Sequence, residues 1–158
     1  MAHHGTITTD RPDETWGADA ASVLTDEGRA TVFIAVDHCT QECIGIYAEI
    51  KGTSPEALEP LRQGVKDHFG IYSHEVALSL TLRHYNGSRY CSDYIQNELR
   101  FLGIASSPAY AREPDAHIVL EPFIRTRKQQ LLWVRRFATV LELLDALHSF
   151  QAAYDRTW

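Results

Sequence analysis

No apolar stretch among the 158 residues is long enough to cross a bilayer, so no membrane partner is expected. The opening MAHHGTITTD holds no h-region of a signal peptide, which makes a cytoplasmic location the expectation; His3 and His4 within it are given no role. Cysteine is scarce. Cys39, Cys43 and Cys91 form an odd, sparse set that suits a reducing compartment and excludes a disulfide framework. His38-Cys39-x3-Cys43 has the flavour of a zinc half-site, but no second knuckle follows, and buried free thiols are the better reading. Basic charge is in deficit, with a formal net charge of −6. A domain that lived by wrapping nucleic acid nonspecifically is usually basic. A Gly-rich phosphate loop and a nucleophile elbow are missing as well, and no small-molecule cofactor is expected.

What is present is the composition of a soluble globular protein, 44% hydrophobic and 23% charged, long enough for one domain with a real core. The charge is uneven. Residues 125–136, RTRKQQLLWVRR, carry five basic side chains and no acid, while much of the acid lies in 10–27 and 49–59. Local charge matters more than the sum where a groove meets phosphate.

After a lead-in over residues 1–14, a single domain spans 15–158. Thr15 to Leu24 and Ala30 to Asp37 read as two strands around a Gly-containing turn, the second (ATVFIAVD) apolar enough to be covered on both faces. CIGIYAEIK, from Cys43 to Lys51, is the third strand of an antiparallel meander. Ser54-Pro55-Glu56 has the chemistry of a helix start, and Ala57, Leu58, Leu61, Val65 and Phe69 recur at near-helical spacing until Gly70. The alternation in VALSLTLRH predicts a fourth strand over Val76 to His84. Ser92 opens a helix stopped by Gly103, and Ile104 to Ser107 is a short fifth strand. A loop with two prolines, PAYAREPDAH, leads to a basic amphipathic helix from about Glu121 and a last helix from Thr139. The order βββ-α-β-α-β-α-α predicts a mixed α/β sheet, three antiparallel strands followed by parallel ones, with helices on both faces.

Asp19 sits inside the first strand among small and apolar neighbours, where a carboxylate is costly unless paired, hydrogen-bonded or bound to metal. Tyr85 ends the fourth strand, and Glu121 opens the basic helix; these three positions are expected to converge at one end of the sheet.

The stretches TDRPDETWGADAASVLT, FIAVDHCTQECIG, LRHYNGSRYCSDYIQNELRFLGIASSPAYAREPD and LEPFIRTRKQ together resemble the catalytic core of retroviral-integrase-type (DDE) transposases, the bacterial insertion-sequence branch in particular. In that family an aspartate follows a Trp-x-x opening, matched by Trp16 to Asp19. A fourth strand ends Asp-Asn/His-Gly-Ser, matched by Tyr85-Asn86-Gly87-Ser88 without the acid. A third carboxylate precedes an Arg/Lys-rich helix, matched by Glu121 with Arg125 and Lys128.

The resemblance implies a ribonuclease-H-like five-stranded fold, DNA as partner, a homodimer, and Mg²⁺ or Mn²⁺ held by Asp19 and Glu121. It also implies DNA contacts from Asn86, Arg125, Arg127 and Lys128. Two such ions about 4 Å apart clamp the attacking and leaving oxygens of an in-line displacement. Hard cations want carboxylate oxygens. Tyr85 in the second acid's position therefore implies an impaired site, the alternative being a non-catalytic nucleic-acid-binding or dimerising remnant. Pro122 after Glu121, and Asp115-Ala116-His117-Ile118 where the family loop is Gly/Asn-rich, are further departures. Asp93, Asp115 and His117 are weaker stand-ins for the lost ligand, Asp37 reads as structural, and His84 as a strand-end histidine. The family's helix-turn-helix region ahead of the core has no counterpart in the sequence given.

Overall fold

The computed structural model describes residues 11–50, 54–84, 90–108 and 136–156. Three strands, β1 (Thr15–Thr25), β2 (Gly28–Asp37) and β3 (Cys43–Glu49), form the expected antiparallel meander. The short helices α1 (Ser54–Ala57) and α2 (Glu59–Phe69) follow, then β4 (Thr81–His84), α3 (Asp93–Leu102), β5 (Ala105–Pro108) and α4 (Val140–Arg156). The strands lie in the order β3-β2-β1-β4-β5, with β4 parallel to β1 and β5 parallel to β4.

Side-chain alternation divides the sheet into two dry faces. Trp16, Ala18, Phe33, Ala35 and Leu82 pack against Leu58 and against Leu61 and Val65 of α2, and against Ile95, Leu99 and Leu102 of α3. Val23, Val32, Ile34 and Val36 pack on the opposite side against Phe137 and against Leu143 and Leu147 of α4. The unbroken apolar character of ATVFIAVD follows from this covering on both sides.

Three boundaries differ from the sequence expectation. The predicted single helix after Ser54 is divided at Leu58, because Pro60 has no N–H to continue the ladder. The fourth strand is confined to Thr81–His84, and His74–Ser79 is a run of turns with Leu78 turned outward. The cause is α3: the amides of Glu75 and Ala77 bond the carbonyls of Phe101 and Leu102 (2.8 and 3.0 Å). Such carbonyls have no partner within their own helix, so they draw the chain out of the strand. The fifth strand is shifted by one residue. By contrast, Ser92 caps α3 by accepting from the Ile95 amide, and Gly103 closes it with φ of 83°. Thr139 caps α4, its hydroxyl accepting from the Glu142 amide at 3.1 Å.

Candidate active site

Asp19 lies midway along β1, opposite Ile34 of β2. Trp16 and Ala18 face α2 and α3, so alternation turns Asp19 to the other side, the face shared with Ile34 and α4. Its side chain is buried, and one carboxylate oxygen accepts from the Ala20 amide at 2.8 Å. The parallel ladder with β4 runs Thr15–Thr81, Trp16–Leu82, Gly17–Arg83 and Ala18–His84, its last pair falling one residue before Asp19.

The other expected site residues, Tyr85, Asn86, Glu121, Arg125, Arg127 and Lys128, lie outside the described residues, as do Asp115 and His117 and the helix expected from Glu121. Asp93 is exposed in the first turn of α3, where a negative charge suits the helix end. Asp37 is fully buried and consumed locally: its two oxygens accept from the backbone amides of Asp13 (2.7 Å), Cys39 (2.7 Å) and Thr40 (3.1 Å). That is the structural role expected of it. Among the described residues no group of three or more His, Cys, Asp or Glu side chains is arranged to share an ion.

His84 has more company than a strand-end histidine normally keeps. Its buried ring stacks on Tyr90 (5.5 Å between centroids, 26° between planes), and its Nε2 lies 2.9 Å from the Ser106 hydroxyl on β5. Gln96 of α3 donates both to that hydroxyl (3.1 Å) and to the Tyr90 carbonyl (2.9 Å). The Tyr90 hydroxyl donates in turn to the main-chain carbonyl of Asp19 at 3.4 Å. Burial lowers the His84 pKa, keeping the ring neutral. Sequence reading did not single out Tyr90, Gln96 or Ser106, since their partners lie 6 to 71 residues away.

His38 stands just past β2, its amide donating to the Thr15 carbonyl. Burial pushes its pKa down to about 4, Arg83 nearby adds to the shift, and Asp37 opposes it.

No protein-family model matches the sequence, and the search of curated proteins found no relative. Solved structures do match. A chain of the simian T-cell lymphotropic virus intasome, solved with PP2A regulatory subunit B56 gamma, superposes with a TM-score of 0.63 over 78% of this chain at 18% identity. The HTLV-2 integrase catalytic core domain in complex with magnesium gives 0.56 over 75% of this chain at 17% identity. The catalytic domain of Mos1 mariner transposase gives 0.65 over 89% at 14% identity. The chain spans 41% of the intasome chain, 68% of the HTLV-2 core and 71% of the Mos1 catalytic domain. With its strand order, its parallel β1–β4–β5 pairing and a carboxylate on the central strand, the chain has the ribonuclease-H-like fold of integrase and transposase catalytic cores.

Proposed function

We propose that this chain is a DDE-type polynucleotidyl transferase core for DNA strand cleavage and transfer, with catalysis impaired at the second acid position. The observation that carries the reading is the register of β1 on β4. Ala18 pairs with His84, and in the sequence each stands immediately before an expected site position, Asp19 and Tyr85. The family pattern has a carboxylate at position 85; the sequence supplies a phenol instead.

A tyrosine phenol, with an ordinary pKa of about 10, is neutral at pH 7 and a poor ligand for a hard divalent ion. As it stands, the donor set does not fit the magnesium or manganese pair implied by the family resemblance. Asp19 is the one member of the expected triad among the described residues, and the second position is not an acid. The HTLV-2 core was solved with magnesium, which supports testing that ion here. DNA as partner, through Asn86, Arg125, Arg127 and Lys128, Glu121 as third acid, and a homodimer belong to the same proposal. The bacterial insertion-sequence branch and a cytoplasmic location rest on the sequence alone.

The test is metal-dependent nicking of a DNA duplex in Mn²⁺ by the native chain and by Tyr85→Asp. The variant is expected to be at least about a hundredfold faster, the scale of restoring one essential stabilising group. Equal rates in the two proteins would sink the view that Tyr85 disables the site. DNA binding without nicking in either would favour the non-catalytic remnant.

A further inference from the structure

We propose that Tyr90 is a positioning residue for the candidate active site, holding the strand that carries Asp19 to the end of β4; the proposal rests on the function proposed above. Tyr90 is fully buried, and three of its contacts among the described residues bear on the site. Its hydroxyl donates to the Asp19 carbonyl, its ring stacks on His84, and its own carbonyl accepts from Gln96. His84 and Gln96 are in turn joined through the Ser106 hydroxyl, at 2.9 and 3.1 Å. The result is a closed ring, His84–Ser106–Gln96–Tyr90, drawn from β4, β5, α3 and the residue two places before that helix's cap, with one branch to Asp19.

The hydrogen-bond inventory shows how the ring is held together. A glutamine amide nitrogen has two N–H groups, and those of Gln96 serve Tyr90 and Ser106. The Ser106 hydroxyl also lies 2.9 Å from the His84 Nε2, and which of the two donates depends on the His84 tautomer. Chained bonds of this kind polarise one another, and buried polar groups joined in this way resist displacement. Tyr90 is the member that transmits the arrangement to β1. The Ala20 amide, which donates to the Asp19 carboxylate, is the natural reporter of that side chain's pose.

Amide exchange in the otherwise native chain judges the positioning role. Tyr90→Phe, which loses only the hydroxyl, is expected to speed exchange at Ala20 about tenfold while the β2–β3 ladder is unchanged. Ser106→Ala should act in the same direction and move the His84 ring ¹⁵N shifts, and Ser106→Thr, which keeps a hydroxyl, should behave as native. Unchanged exchange at Ala20 in Tyr90→Phe overturns the proposal, as does a rise spread evenly over the whole sheet. In the Tyr85→Asp background, Tyr90→Phe should lower the nicking turnover at least about tenfold with the KM for DNA unchanged. A Tyr85→Asp protein that does not nick defeats the functional reading alone, and Ala20 exchange still decides the role of Tyr90.

Discussion

His38 is 1% exposed, and neither ring nitrogen has a hydrogen-bond partner among the described residues. Its folded pKa of about 4, against an ordinary 6.5, ties stability to pH with a definite sign. Between those values the unfolded chain binds a proton that the folded chain refuses, so stability falls as pH drops through 6.5 and levels off below about 4. The whole effect is roughly 3 kcal/mol from linkage. His84, also held neutral by burial, adds a slope of the same sign. Urea melts at several pH values between 4 and 7 should therefore show a shallower acid loss in His38→Leu than in the native chain. Equal slopes would mean that His38 is accessible to protons in the fold. Asp37 anchors the same corner differently. Asp37→Asn keeps the shape but lets one oxygen become a donor facing amides, and a loss of about 2 kcal/mol is expected in the same melts.

At the scale of elements, α2 and β3 fit each other closely. A Cβ on Gly45 would stand 2.2 Å from the Pro60 carbonyl oxygen, so the helix meets the strand backbone to backbone. One turn on, the Gln63 side chain imitates a neighbouring strand: it accepts from the Ile46 amide (3.2 Å) and donates to the Ile46 carbonyl (3.0 Å). Gln151 of α4 donates to the Cys43 carbonyl at 2.8 Å. An outer edge strand with open backbone groups invites pairing with another chain, and these amides occupy its edge at Cys43 and Ile46. Gln63→Ala should cost about 1–3 kcal/mol in thermal or urea unfolding and raise self-association seen by sedimentation. Gln63→Glu keeps size and an acceptor and adds a charge, so it should lose stability without the added association. Gly45→Ala should cost about 3 kcal/mol through overpacking. Local signals made much of this architecture legible in the sequence: the apolar run of β2, the Ser92 cap, and the glycines that end α2 and α3 at φ of 84° and 83°. The turns over His74–Ser79 were not legible, because the Glu75 and Ala77 amides are claimed by the far end of α3, some 25 residues on. The candidate site divides in the same way. Asp19 stood out as an acid inside an apolar strand, whereas Tyr90, Gln96 and Ser106 acquire meaning only when β4, α3 and β5 are brought side by side.

The whole molecule sets a limit on how it can meet DNA. With a net charge of −6 it repels a polyanion at long range, so any attraction must be local. The five basic residues of 125–136 are the densest positive stretch in the chain. Each phosphate neutralised releases condensed counterions, so the logarithm of the binding constant falls with the logarithm of salt by about 0.9 per contact. If Arg125, Arg127 and Lys128 contact phosphates, changing all three to alanine should make that slope shallower by about 2.7, measured by fluorescence anisotropy on a duplex between 50 and 200 mM salt (roughly the range over which such contacts differ most). A uniform loss across unrelated duplexes would identify them as backbone contacts, and a loss confined to one duplex as base contacts. An unchanged slope would remove the basic stretch from the interface altogether. Arg136, at its end, is a built-in control. It pairs with Asp26 at 2.8 Å, so Arg136→Ala should alter the slope less than any of the three, its charge being already engaged within the fold.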